Sequence, residues 1–368
     1  MKRVLILEPY YGGSHKLFLQ GLQDTVEADY TLITLPPRKW KMRMQFSALW
    51  FVEQLQLMRE QDRFFDTVLC STFVDVAVLR ALLAPVRGWN SEARIITYFH
   101  ENQFAYPGQI VDPTIRQFTS INFTTALTSD FCAFNSIFNL ETFLRGIESS
   151  LKKASDITLQ SCVDDIRKKS VVLYPGMDYS SIDQVQGRKI KEKKEPLVLV
   201  WNHRWEHDKG PDLFFEALYS LQKKGVRFRL IVLGESFVNK PQCFEEACIR
   251  LEKEIIHFGY AESREQYAEL LHQGDLIIST AKHEFFGISV LEGIRAGCFP
   301  LLPDDLSYPE LYDKKYLYTP GKLTQRLEAL LNNPACFEKE TAHALTQKFD
   351  WRECKGLYKK YLFGNLSE

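Results

Sequence analysis

The stretch Gln186-Gly187-Arg188-Lys189-Ile190-Lys191-Glu192-Lys193-Lys194-Glu195-Pro196 divides the sequence near its middle. It is polar, dense in charge and closed by a proline, which is the composition of a linker rather than of a packed strand or helix. Upstream of it, short β-branched and aromatic runs at 4–7, 30–35, 67–71, 94–99, 131–134 and 171–174 alternate with helix-period stretches near 14–27, 46–62, 74–84, 116–128 and 139–153. Downstream the alternation restarts, with strands at 197–201, 228–233, 255–258, 276–279 and 298–302 and helices near 211–224, 241–253, 264–273 and 287–296. That pattern yields parallel sheets with helices on both faces. The sequence therefore predicts an α/β protein of two Rossmann-like, doubly wound domains, 1–185 and 197–350, joined by the linker 186–196. The amphipathic segment 351–368 can cross back onto the first domain. Ligands of such sheets sit beyond the carboxyl ends of the strands, so the expected site is a cleft lined by the loops that follow them.

Composition agrees with two domains, because 368 residues exceed what one hydrophobic core usually serves. Lys and Arg total 46 against 47 Asp and Glu, so any site for a polyanion must be local. The eight cysteines form no CxxC and several lie in apolar runs, as free thiols of a reducing compartment do. The apolar run after Met1-Lys2-Arg3 is too short for a secretion signal, and no stretch reaches the 18 or so apolar residues of a membrane span. The expectation is a cytoplasmic protein with no membrane contact; no protein partner is inferred.

Four loops that follow predicted strands carry chemistry. In Glu8-Pro9-Tyr10-Tyr11-Gly12-Gly13-Ser14-His15-Lys16, paired glycines at a helix start let the backbone approach an anion or a polarised oxygen. A plain tight turn remains the other reading, and no GxGxxG dinucleotide fingerprint is present. In His100-Glu101-Asn102-Gln103-Phe104, the histidine can bond a substrate hydroxyl or move a proton, or can be structural. HExxH zinc chemistry fails here, because positions 104 and 287 hold Phe and Gly where His100 and His283 would need a second histidine. In Trp201-Asn202-His203-Arg204-Trp205-Glu206-His207-Asp208-Lys209-Gly210, Arg204 and Lys209 can fold toward one point and neutralise a diphosphate; an ion-paired surface loop is the rival.

The fourth loop, Ser279-Thr280-Ala281-Lys282-His283-Glu284-Phe285-Phe286-Gly287-Ile288-Ser289-Val290-Leu291-Glu292, is the most informative. Glu284 and Glu292 bracket a helix start, which suits a ligand with hydroxyls at both ends and phosphates between, a nucleotide sugar. The alternative places Glu284 at the helix dipole and leaves Glu292 solvated. A fifth feature, Pro36-Pro37-Arg38-Lys39-Trp40-Lys41-Met42-Arg43-Met44-Gln45-Phe46, interleaves four cations with rings, as nucleic-acid surfaces do. A solvated basic face would look the same.

These motifs resemble a known family. His203-Arg204 to Lys209-Gly210, followed by Glu284-Phe285-Phe286-Gly287 to Glu292, looks like the paired motif of retaining GT-B glycosyltransferases of family 4, and Tyr174-Pro175-Gly176-Met177-Asp178 fits the same superfamily. Tyr10 to Lys16, Tyr98 to Gln103, His203 to Lys209 and Ser279 to Gly287 are similar, more narrowly, to the tRNA-queuosine alpha-mannosyltransferases. The resemblance implies transfer of mannose from GDP-mannose, with retention, onto the queuosine nucleoside in the anticodon of aspartate tRNA. It makes 1–185 the acceptor side and 197–350 the nucleotide-sugar side. It implies that Arg204 and Lys209 neutralise the leaving diphosphate, that Glu292 accepts from the ribose, and that Glu284, His283 and the Phe286, Gly287 and Ile288 amides orient the sugar. His100 would line the reaction face, Gly12 and Gly13 would close on the diphosphate, and no divalent metal would be required. Arg38, Lys39, Lys41 and Arg43 are the residues expected to meet tRNA. Open beside this reading stand another nucleotide sugar or acceptor, a GT-B sugar epimerase, and a non-catalytic tRNA-binding protein with a degenerate donor pocket.

Overall fold

Val4-Leu5-Ile6-Leu7 is apolar at every position because the strand it forms is covered on both sides. Val4 and Ile6 pack with Phe18 and Leu22, while Leu5 and Leu7 pack with Phe51, Leu55 and Leu79. The computed structural model describes residues 1–105, 115–153, 156, 158–185, 195–236, 240–333 and 341–364. It contains β1 (Arg3–Glu8), β2 (Asp29–Thr34), β3 (Thr67–Ser71), β4 (Arg94–Phe99), β5 (Phe131–Phe134) and β6 (Ser170–Val172), all parallel, in the order β2-β1-β3-β4-β5-β6. A second parallel sheet comprises β7 (Val198–Asn202), β8 (Arg229–Leu233), β9 (Ile255–Gly259), β10 (Leu276–Ile278), β11 (Phe299–Pro303) and β12 (Leu317–Tyr318), in the order β12-β11-β10-β7-β8-β9. The two-residue β12 is too short to leave a period in the sequence, and it was not among the expected strands.

In both sheets the strand order reverses beside the first strand, between β1 and β3 and between β7 and β10. A reversal opens a crevice at the carboxyl ends because successive crossovers leave in opposite directions. The loops after β1, β7 and β10 therefore emerge at the switch points of their sheets.

The chain divides into two compact units, Met1–Met177 with Trp351–Glu368, and Asp178–Asp350. Residues 178–185, expected in the first domain, belong to the second. Arg295 holds Asp183 through two hydrogen bonds, Nε to Oδ1 at 2.6 Å and Nη2 to Oδ2 at 2.5 Å, and His272 Nε2 lies 2.9 Å from the Ile182 carbonyl. Most of the expected linker, 186–194, lies outside the described residues.

The helix expected at 46–62 runs instead over Trp40–Leu57. Its buried face, Met44, Ser47, Ala48, Phe51, Val52 and Leu55, keeps helical phase back into the basic run, and Met58 leaves it in extended backbone. Seven cysteines among the described residues are free. Among the described residues no helix is long and apolar enough to cross a membrane.

Candidate active site

In the second unit, adjacency of β7 and β10 brings two sequence-distant loops together. The Lys209 carbonyl accepts from Thr280 Oγ1 at 3.0 Å, and the Lys282 amide donates to the Asp208 carbonyl at 2.7 Å. Gly210 makes this approach feasible: its φ is +62°, and a Cβ there would lie 2.2 Å from the Thr280 carbonyl oxygen. Only glycine fits both the backbone and the gap.

Lys209 is buried, and its ammonium donates to the His283 carbonyl at 2.9 Å and to Glu284 Oε2 at 3.3 Å, with Asp208 Oδ2 at 3.4 Å. Burial opposes the ammonium's charge, but Glu284 and Asp208 outweigh it and its pKa is raised. Burial likewise opposes ionisation of Glu284, yet Lys209, His203 and the Phe286 amide hold its carboxyl down at about 2. His203 and His283 are lowered to about 4, by burial first and the Lys209 charge second. This cluster is therefore a fixed ammonium–carboxylate pair flanked by neutral imidazoles at neutral pH.

Arg204 is half-exposed and pairs with Glu206 at 3.1 Å; its charge also acts on Lys209 and His283. Phe286 is buried against Phe349, and its amide points to Glu284 Oε1 at 3.4 Å. Gly287, at φ +94°, caps the helix Ile288–Arg295. Glu292, one turn into that helix, is not solvated: Arg264 Nη2 donates to one of its oxygens and Tyr267 Oη to the other at 2.7 Å. Asn202 Nδ2 in turn donates to Tyr267 Oη at 2.9 Å and to the Ser289 carbonyl at 2.8 Å. Both acidic side chains are thus held by hydrogen-bonded partners, Glu284 just before one helix and Glu292 one turn into it, and a helix start is where backbone amides favour an anion.

In the first unit, Gly12 and Gly13 lie where β1 turns into the helix Gly13–Thr25. A Cβ on Gly12 would strike Pro37 at 2.4 Å, so the glycine turn lies directly against the basic loop. The turn is anchored by Glu8, whose Oε1 accepts from the Tyr10 amide at 2.8 Å and Ser71 Oγ at 3.1 Å, while its Oε2 accepts from His15 Nδ1 at 3.1 Å. The His15 ring stacks on His100, centroids 4.0 Å apart. Burial opposes a charge on His15, but Glu8 outweighs it and raises its pKa; burial and His15 together push His100 well below the ordinary value. Asn135 Nδ2 fixes the His100 carbonyl at 2.7 Å. Ligand-type atoms of Glu8, His15 and His100 lie within 4.8 Å of one another. Because His15 uses Nδ1 on Glu8 and stacks on His100 at an interplanar angle of 29°, the group acts as a stacked, hydrogen-bonded support that keeps His100 neutral.

Of the basic residues, Arg38, Lys39 and Lys41 are exposed, whereas Arg43 is half-buried. Lys39 adopts φ +54°, which is uncommon without glycine or asparagine.

Two family models match the chain. One, described as tRNA-queuosine alpha-mannosyltransferase N-terminal, matches residues 3–177; the other, glycosyl transferases group 1, matches residues 183–348. The tRNA-queuosine alpha-mannosyltransferase of Drosophila melanogaster is 35% identical over 98% of this chain and 95% of its own length. The chain belongs to the tRNA-queuosine alpha-mannosyltransferase family. The GDP-mannose:cellobiosyl-diphosphopolyprenol alpha-mannosyltransferase of Xanthomonas oryzae is 22% identical over 44% of the chain and 45% of its own length. Among solved structures, Anabaena HepE in complex with UDP covers 98% of this chain and 99% of its own at a TM-score of 0.69 and 14% identity. Sucrose-phosphate synthase from Thermosynechococcus elongatus covers 98% and 99% at a TM-score of 0.70 and 12% identity. Those likenesses give this member of the queuosine mannosyltransferase family the GT-B fold, an α/β architecture with two parallel six-stranded sheets.

Sequence reasoning did not assign the supporting residues of this family member: Asp208 on Lys209, Tyr267 and Arg264 on Glu292, and Glu8 and His15 beneath His100. Asp208, Glu8 and His15 stood inside quoted loops, where polarity beside a glycine was the available signal. Arg264 and Tyr267 open a helix in ordinary amphipathic context, and only the tertiary contact singles them out.

Proposed function

We propose that the protein transfers mannose from GDP-mannose, with retention of configuration, to the queuosine nucleoside in the anticodon of aspartate tRNA. The observation that carries this reading is the full-length likeness to the Drosophila enzyme, in a chain whose buried Lys209 pairs with Glu284 at the carboxyl ends of β7 and β10. The Xanthomonas relative, named for a GDP-mannose donor, supports that choice of donor. Lys209 and Arg204 would take up charge developing on the diphosphate as the glycosidic bond breaks. The Phe286, Gly287 and Ile288 amides, with Glu284 and His283, would orient the hexose, and Glu292 would accept from the ribose hydroxyls. These cations and amides supply the electrostatic stabilisation a metal would otherwise give, so no metal is needed.

On the acceptor side, His100, kept neutral, would bond a hydroxyl at the reaction face, and Gly12 and Gly13 would admit the diphosphate closely. Arg38, Lys39, Lys41 and Arg43 would meet anticodon-stem phosphates. Free thiols and a tRNA substrate support a cytosolic setting for the reaction.

The test incubates the protein with total tRNA and a panel of nucleotide sugars, followed by mass spectrometry of the nucleosides. Queuosine should gain one hexose, with GDP-mannose alone as donor. Transfer from another sugar nucleotide would change the donor, a new isomer formed from sugar nucleotide without tRNA would make the protein an epimerase, and tRNA binding without transfer would leave a binding protein.

A further inference from the structure

The helix Trp40–Leu57 buries one face against β1 and its neighbours, yet its outer face carries apolar side chains beside Lys41, Glu53 and Gln56. Met42, Phe46 and Leu49 are about half exposed and recur at steps of four and three residues, so they form one stripe on the solvent side. The stripe rises about 10 Å along the axis, the length of about three stacked nucleotides. Arg38, Lys39 and Lys41 stand exposed at its amino end. On its flank Gln45 Nε2 donates to Gln117 Oε1 at 3.1 Å, and Arg116, next to Gln117, is exposed. The chain's net charge is −1, so this concentration of cations is local. The patch is also rooted at the candidate site, since the Tyr11 amide donates to the Leu35 carbonyl at 2.9 Å and Pro37 fills the space over Gly12.

We propose that Met42, Phe46 and Leu49 form a platform on which unpaired loop bases of the acceptor RNA stack, while Arg38, Lys39 and Lys41 hold the flanking phosphates. The proposal rests on the RNA acceptor of the functional reading and adds the surface that takes the loop. Apolar side chains bordered by cations are what an unstacked, polyanionic strand requires, because bases lose water-exposed faces as phosphates gain counter-charges. A second copy of the chain packed stripe on stripe is the rival occupant, and the test below separates it from RNA. A bilayer is disfavoured: the stripe is three residues long, against the extended apolar face that an interfacial helix buries.

The test compares wild type with a Met42→Ser/Phe46→Ser/Leu49→Ser variant. The probes are an RNA hairpin with an unpaired loop and a blunt duplex of the same stem, with affinities read by fluorescence anisotropy. The variant should bind the hairpin about tenfold more weakly and the duplex as wild type does, with an unchanged melting temperature, and a single Phe46→Trp change should preserve hairpin affinity. Unchanged hairpin affinity, or equal loss on both probes, overturns the platform. So does a wild-type dimer, or wild-type binding to phosphatidylserine vesicles, that the triple variant abolishes. If the stacking result holds but no hexose reaches tRNA, the platform stands and the reading of the reaction falls. If transfer proceeds and hairpin affinity is unchanged, only the platform falls.

Discussion

At the scale of single residues, Lys209 and Arg204 separate two roles that the sequence presents alike. Both are cations of one loop, but Lys209 is buried between Asp208 and Glu284 while Arg204 is half-exposed. Removing the Lys209 ammonium would leave the partly buried Glu284 carboxylate without its main counter-charge, a change that costs up to about 3–5 kcal/mol of stability when the charge is fully buried and less here. Lys209→Met should therefore lower both the melting temperature and the transfer rate, the latter by about 100-fold to 1000-fold in kcat/KM. Arg204→Ala should lower kcat/KM while leaving the melting temperature close to wild type. Steady-state kinetics beside calorimetry reads the contrast, and wild-type rates in both variants would remove the two cations from the mechanism. The spacing of Arg204, Lys209, Glu284 and Glu292 was legible because each stands in a short motif after a strand. Which cation is buried was not, because burial is set by Thr280 and His283, some 70 positions away.

At the scale of elements, the decisive contact is between the loops after β7 and β10. Gly210 holds the first loop against the second, and its left-handed backbone is unfavourable to any Cβ. Gly210→Ala should cost about 1–2 kcal/mol for the backbone alone, and more for the overlap with the Thr280 carbonyl. The loop would have to move to relieve that overlap, carrying Lys209 with it. The expected result is a lower melting temperature together with a raised KM for the sugar nucleotide, whereas an effect on stability without one on KM would separate the loop from donor binding. Strands and most helices were readable as elements because apolar periodicity is local. The start of the helix at Trp40 was misplaced because a dense run of cations masks helical phase until Met44 and Ser47 are known to face inward.

At the scale of the whole molecule, the chain leaves the first unit at Met177 and returns to it at Trp351. Trp351 is buried, and hypothetical Cβ atoms on Gly21 and Gly176 would lie 1.9 and 2.2 Å from its ring, so the indole fills space that glycine leaves on the helix Gly13–Thr25 and on the loop after β6. The same helix, Trp351–Phe363, sends Tyr358 Oη to the Tyr174 carbonyl at 2.9 Å, and Arg94 reaches the Tyr361 and Gly364 carbonyls at 3.1 and 2.8 Å. Trp351→Ala should destabilise the first unit by about 3–5 kcal/mol. Hydrogen exchange should show lost protection across β1, β4 and β5 with the second sheet unaffected; uniform loss over both units would contradict this division of the core.

The sequence by itself determined two parallel α/β halves, the loops that carry the chemistry and the residue types in them, because strand and helix periodicity and short motifs depend on neighbours within a few positions. Tertiary structure alone decided that residues 178–185 join the second unit, that the last helix completes the first, and that Glu292, Lys209 and His100 each rest on partners remote in sequence. Those outcomes depend on which strands lie side by side and which groups lose water together. Such quantities are sums over contacts far apart in the chain, and no local pattern of residues encodes them.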